Sequence, residues 1–197
     1  MKKTGICIFT APGPPDSADR SQGGPGAFSD PLLACAAQRY MALAGEPAGA
    51  TDWQVERPPG GKPYFRNRAD LHFSLSHSGA FWVCAMAWQP VGLDLQLHRP
   101  CSQLALARRF FSLDEQAYLL RSANEADFFL LWTAKESFVK YAGMGITGEF
   151  SHFSVAGPEG LRDRVQDVRL RFLPCPAGYT LCLCAPVIQR VSFYALA

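Results

Sequence analysis

Leu130-Leu131-Trp132-Thr133-Ala134-Lys135-Glu136-Ser137-Phe138-Val139-Lys140-Tyr141-Ala142-Gly143 decides how the chain is read. Phe128, Leu131, Ala134, Phe138 and Tyr141 recur at the three- and four-residue intervals of one helical face. The stretch is therefore expected to be an amphipathic helix with that stripe packed on a core. Trp132, Glu136 and Lys140 stand at i, i+4 and i+8 and form a second ridge beside it. A glutamate four residues before a lysine is also the favoured order for a plain surface ion pair, worth about 0.3–0.5 kcal/mol. This stretch alone permits both a solvated pair and a carboxylate and ammonium presented at a packed surface.

A second polar cluster lies upstream. Residues 72–76 alternate as a half-buried strand, with Phe73 and Leu75 on one face and His72, Ser74 and Ser76 on the other. His77 is expected at the end of that strand, before a turn at Ser78-Gly79. Residues 81–88 form a nearly continuous apolar strand and Gln89-Pro90 a turn. In the strand 91–97, Leu93, Leu95 and Leu97 share the apolar face, which puts Gly92, Asp94 and Gln96 together on the other.

Outward from these segments, residues 6–9 read as a first strand and the Gly- and Pro-rich residues 11–30 as a mobile loop. A helix follows with Asp30 as N-cap, Pro31 at its first position and Gly45 as terminator. Residues 53–56 suit a strand, and Pro58-Pro59-Gly60-Gly61 breaks the chain. Residues 100–143 are helical throughout: Ser102 can cap the first helix, Ser112-Leu113-Asp114-Glu115 has the form of a capping box, and Asn124 can open the long helix. The remainder reads as short strands at 153–155, 168–173, 179–185 and 191–194, with turns at 158–160 and 174–178. The fold class is α+β.

With 197 residues, 48% of them hydrophobic, the chain can bury a sizeable core as one domain or as two small halves. A formal charge of +2 and the lack of any long basic run exclude a nucleic-acid footprint. Seven cysteines, odd in number and without a C-x-x-C pair, fit buried free thiols in a reducing cytoplasm. Cys182 and Cys184 share one strand face, without the further ligands that structural zinc requires. The apolar run before Pro12 is too short for a signal peptide, no later run approaches a membrane span, and the expected location is cytoplasmic.

Leu71-His72-Phe73-Ser74-Leu75-Ser76-His77-Ser78-Gly79, Val91-Gly92-Leu93-Asp94-Leu95-Gln96, Trp132-x-x-Lys135-Glu136-x-x-x-Lys140 and Gly61-Lys62-Pro63-Tyr64-Phe65 together resemble the surfactin-type family of 4'-phosphopantetheinyl transferases, in the same order along the chain. The resemblance covers roughly residues 60–145. It implies two similar α+β halves related by a pseudo-twofold axis, residues 1–97 and 98–197, with the active site in the cleft between them. It further implies an enzyme that moves the 4'-phosphopantetheine arm of coenzyme A to a serine of an apo acyl or peptidyl carrier protein, with Mg²⁺ or Mn²⁺, releasing adenosine 3',5'-bisphosphate. The expected partners are coenzyme A and a carrier protein, the expected state a monomer.

By the same resemblance Asp94, Gln96 and Glu136 are the metal ligands, and Glu136, Lys140 and Glu115 the catalytic set. Lys62, Ser76, His77, Lys135, Lys140 and Arg39 are expected to meet coenzyme A. Most bacterial relatives carry an acidic residue where this chain has Gln96, so weaker Mg²⁺ binding is expected. The N-terminal region is thinner than in relatives, leaving Arg39, Lys62 and His77 to grip the 3'-phosphate. Phe110, Phe111, Leu113 and Leu119 are candidates for an apolar carrier-docking patch or for interhelical core; Arg108, Arg109 and Arg121 could steer an acidic partner. Competing explanations accompany several assignments: the capping box accounts for Glu115, a turn accounts for His77, and Trp132 suits a cleft wall. Two alternative functions remain. One is a non-catalytic protein of the same fold that binds coenzyme A or a carrier; the other is a Mg²⁺-dependent phosphohydrolase.

Overall fold

The computed structural model describes residues 5–13, 30–46, 52–122, 124–144 and 148–196. Most of the loop expected at 11–30 lies outside them. The elements run in the order β1 (Ile6–Pro12), α1 (Pro31–Leu43), β2 (Val55–Glu56), β3 (Tyr64–Phe65), β4 (His72–Ser78), β5 (Phe81–Ala87), β6 (Gly92–Leu97), α2 (Gln103–Phe110), α3 (Leu113–Arg121), α4 (Ala126–Ala142), β7 (Ala156–Gly157), β8 (Gly160–Leu161), β9 (Arg164–Val165), β10 (Val168–Phe172), β11 (Tyr179–Ala185) and β12 (Val191–Ala195). The mixture is α+β, as the alternating and helical periods predict.

Local chemistry sets most boundaries. Asp30 accepts the Leu32 and Leu33 amides at 3.0 and 3.3 Å, satisfying donors that the first turn of α1 leaves open. At the start of α3, the Ser112 and Glu115 side chains each accept the other's backbone N–H, a complete capping box. Asn124 Oδ1 accepts the Ala126 amide, so it does open α4, though the helix starts two residues later. Ser102 makes no side-chain cap bond to α2.

Two four-stranded sheets form the centre, ordered β12-β1-β5-β4 and β6-β11-β10-β9. Alternation divides each sheet between two cores. Ile6, Ile8, Val83 and Ala85 pack on Leu93, Leu95, Leu181 and Leu183 from the other sheet. On the outer face of the first sheet, Phe9, Cys84 and Met86 pack against Leu33, Ala36 and Tyr40 of α1. On the outer face of the second, Leu170, Cys182 and Cys184 pack against Leu131, Ala134 and Phe138 of α4. The layers are therefore helix, sheet, sheet, helix. The seven cysteines are free thiols.

Sheet membership crosses the boundary expected at 97/98. Strand β6 precedes it yet pairs with β11, and β12 follows it yet pairs in parallel with β1. The strand expected at 153–155 is absent, because side chains already hold its backbone: Lys135 Nζ binds the Phe153 carbonyl at 2.7 Å, and Glu115 Oε1 accepts the Val155 amide at 2.7 Å. Among the described residues no helix is long and apolar enough to cross a membrane.

Candidate active site

Gly92 brings β6 and α4 together. A Cβ built on it would lie 1.9 Å from the Ser137 carbonyl oxygen and 2.5 Å from the Tyr141 nitrogen, so only a residue without a side chain permits this approach. The strand then carries Asp94, two residues on, under the helix that carries Glu136 and Lys140.

Lys140 Nζ lies 2.7 Å from Asp94 Oδ1 and 3.0 Å from Ser76 Oγ, and the Ser76 hydroxyl donates to the same Asp94 oxygen at 2.9 Å. The lysine thus pairs across to β6, and the surface pair with Glu136 that its spacing permits is not what forms. Asp94 is 5% exposed, and its other oxygen, Oδ2, has no hydrogen-bond partner. Leaving a buried carboxylate oxygen unsatisfied is costly, so the arrangement points to a missing cationic partner.

Glu136, 6% exposed, supplies the second carboxylate. Burial first, and the Asp94 charge second, push its carboxyl up to about 7, with Lys140 partly opposing both. Two buried carboxylates side by side are what a divalent cation would neutralise, and hard oxygen donors suit Mg²⁺. Asp94 and Glu136 therefore fit such an ion. Gln96 shares the strand face of Asp94, but its amide nitrogen donates to the Leu97 carbonyl at 3.0 Å, which lays the side chain along its own strand. Among the described residues no cluster of three or more His, Cys, Asp or Glu side chains is present.

A cavity of about 450 Å³ opens at Glu136 and Lys140. Lys62, Ser74, Glu136, Lys140 and Arg57 contribute its polar groups, and Phe73, Leu75, Val139 and Met144 its apolar wall. Lys62 donates to the Val91 carbonyl. Burial pushes the Lys62 ammonium down to about 8, with nearby Lys140 adding to the effect. An anion entering the cavity would meet two lysines held close against their mutual repulsion. Arg57 was not singled out in the sequence, where it merely precedes Pro58-Pro59; only the fold brings it here.

Other expected site residues lie elsewhere. Glu115 and Lys135 are both 0% exposed and bind each other at 2.9 and 3.0 Å, with the Lys135 ammonium 4.2 Å from the Phe153 ring centroid. Glu115 also accepts the Ser112 and Val155 amides. Both side chains are engaged within the second half, where no surface of theirs reaches the cavity, and the capping-box explanation of Glu115 is the one realised. His77 lies within β4, not at its end, exposed and on the strand face opposite Ser76. Arg39 donates to the Ala195 carbonyl at 3.0 Å. That ties it to β12, three strands from β4 and about 14 Å away at ordinary strand spacing. Trp132 packs among Phe128, Phe110 and Phe150 and does not line the cavity. Of the apolar docking candidates Phe111 is buried, Phe110 and Leu119 pack on the core, and Leu113 is 83% exposed.

Residues 90–184 match the model of the 4'-phosphopantetheinyl transferase superfamily. The chain is similar to the 4'-phosphopantetheinyl transferase Sfp of Bacillus subtilis (strain 168), at 34% identity over 134 residues, 64% of this chain and 59% of that protein. It is 45% identical over 97 residues to the 4'-phosphopantetheinyl transferase psf-1 of Bacillus pumilus, covering 48% of this chain and 41% of the relative. Identity to the 4'-phosphopantetheinyl transferase HetI of Nostoc sp. is 41% over 95 residues, 44% of this chain and 40% of the relative. The matched stretches thus span less than two thirds of these relatives' lengths.

Proposed function

We propose that this chain, whose residues 90–184 match the 4'-phosphopantetheinyl transferase superfamily, belongs to that superfamily and acts as a monomeric holo-carrier-protein synthase. It transfers the 4'-phosphopantetheine arm of coenzyme A to a serine of an apo acyl or peptidyl carrier protein and releases adenosine 3',5'-bisphosphate. The observation that carries the reading is the unpartnered Asp94 Oδ2, buried beside Glu136 and Lys140, which themselves line a cavity shared with Lys62.

Displacement across a pyrophosphate requires charge neutralisation and in-line positioning more than covalent help from the protein. Asp94 and Glu136 would hold Mg²⁺ or Mn²⁺, which supplies Lewis-acid neutralisation of the pyrophosphate. Lys140, whose side chain remains 29% exposed while paired to Asp94, offers its ammonium to charge developing on a phosphate oxygen. Lys62, which lines the same cavity, binds a phosphate of coenzyme A, whose negative charge raises its lowered proton affinity. The apolar wall of Phe73, Leu75, Val139 and Met144 suits the pantetheine arm. His77 and Arg39 lie outside the cavity lining, so the 3'-phosphate grip falls chiefly to Lys62 and Arg57.

We also read the two sheets, each with one long helix on its outer face, as pseudo-twofold halves whose junction is the cleft. This reading is supported by the matching layer order on either side of the shared core.

Gln96, with its amide turned to Leu97, favours a second reading in which coenzyme A is bound without turnover. Intact mass of an apo carrier protein incubated with the chain, coenzyme A and Mg²⁺ separates the two. Transfer predicts a gain of one phosphopantetheine, lost with chelator or with Glu136→Ala. Coenzyme A binding without any gain across several carriers would establish the second reading.

A further inference from the structure

Strand β6 is an edge of its sheet, and its free side is closed in an unusual way. Ser74, Ser76 and Ser78 of β4 accept the amides of Leu93, Leu95 and Leu97 through their side-chain oxygens, at 2.9, 3.1 and 2.9 Å. The offset is 19 residues at every rung, so the two strands run in parallel. Hydroxyl oxygens stand where a neighbouring strand would offer carbonyls, and the exposed donors of a sheet edge are satisfied by side chains. This ladder fixes β6, and with it Asp94, relative to the first sheet.

The middle rung differs from the other two. A serine hydroxyl has one donor and two acceptor positions. At Ser76 the two acceptors take the Leu95 amide and the Lys140 ammonium, and the proton goes to Asp94 Oδ1. Its capacity is full, so it has no proton left for a phosphate. What it does instead is hold Asp94 Oδ1 and Lys140 together, which leaves Oδ2 as the oxygen without a partner. Ser74 and Ser78 make the same amide contact without touching Asp94.

We infer that Ser76 is a positioning residue that orients the Asp94 carboxylate toward a divalent cation, rather than a ligand of coenzyme A. The catalytic consequence rests on the transferase reading; the effect on the cation does not. Outer partners of metal ligands typically change metal affinity by about 10–100-fold when removed.

The test is Mn²⁺ titration of the full chain, followed by electron paramagnetic resonance without any substrate. It compares the native protein, Ser76→Ala, Ser76→Thr as the variant that restores a hydroxyl, and Ser78→Ala as the control for losing a rung. Steady-state kinetics at saturating metal accompany it. Ser76→Ala is expected to weaken Mn²⁺ at least about tenfold and to leave the coenzyme A KM within about twofold, a loss too small to reflect a missing phosphate contact. Ser76→Thr should recover most of the metal affinity, and Ser78→Ala should keep all of it while lowering the melting temperature. A raised coenzyme A KM with native Mn²⁺ affinity in Ser76→Ala would overturn the inference and make Ser76 a substrate ligand. Failure of the native chain to bind Mn²⁺ while transfer proceeds would also overturn it, leaving the transferase intact. Metal affinity lost in Ser76→Ala in a chain that never transfers would sustain the inference and remove the transferase.

Discussion

Lys135 and Glu136 are adjacent on one helix, and each enters a buried charge cluster of opposite character. Lys135 meets Glu115 in a closed set: both are fully buried, and their hydrogen bonds go to each other, to the Ser112 and Val155 amides and to the Phe153 carbonyl. Glu136 meets Asp94 and Lys140 in an open one, with an excess of carboxylate, one orphaned oxygen and a cavity at Glu136 and Lys140. The closed cluster has nothing to offer a ligand, and its removal would be felt as instability. The open cluster is held short of neutrality, and a cation would complete it. A step of one residue rotates a helix by about 100°, which is enough to separate the two roles.

The comparison breaks most visibly at Lys135. Lys135→Met leaves Glu115 charged and buried without its partner and is expected to cost about 3–5 kcal/mol by chemical denaturation. Adding Glu115→Gln should recover a substantial part of that loss, since the uncompensated charge goes with it.

The open cluster should respond with the opposite sign. The folded chain holds a proton on Glu136 up to about pH 7, whereas an unfolded glutamate releases it near the ordinary value of 4.5. Between these values the native state binds more protons, so metal-free stability falls as pH rises. The full effect is on the order of 3 kcal/mol. Glu136→Gln should therefore flatten that slope and melt higher than the native chain at pH 8 without metal, while Mg²⁺ stabilises the native chain alone.

A smaller effect is expected at the junction that joins the strand to the helix. Gly92→Ala forces a methyl into the Ser137 carbonyl and should cost about 1–3 kcal/mol with a drop in kcat, because α4 must move away from Asp94. The least is expected from Gln96→Glu, which should tighten Mg²⁺ by about tenfold at most in calorimetric titration; unchanged binding would remove Gln96 from the neighbourhood of the ion.

These two clusters also mark where sequence could be read and where it could not. That Asp94 shares a face with Gln96, and Glu136 one with Lys140, was legible from a period of two along β6 and of four along α4; their roles at a site were legible only through the resemblance of the four motifs. The capping box at Ser112 and Glu115 was legible from local spacing too. Periodicity does not say which elements become neighbours, so it could not show that Lys135 would turn inward onto Glu115, or that Arg39 would be held at the far strand β12. The strand expected at 153–155 failed because two side chains distant in sequence hold its backbone groups. The exchange of β6 and β12 between sheets had no local signal at all. The serine ladder did leave one: three serines at a period of two and three leucines at the same period, 19 residues on.

The most direct test follows release of adenosine 3',5'-bisphosphate in single turnover with coenzyme A, Mg²⁺ and an apo carrier protein. Glu136→Gln and Lys135→Met are run side by side at a temperature where circular dichroism shows both folded. The account predicts that Glu136→Gln loses at least about 100-fold in rate despite its greater metal-free stability, and that Lys135→Met stays within a few fold of native despite its fragility. The reverse outcome, a silent Lys135→Met and an active Glu136→Gln, would place the chemistry in the closed cluster and contradict the account.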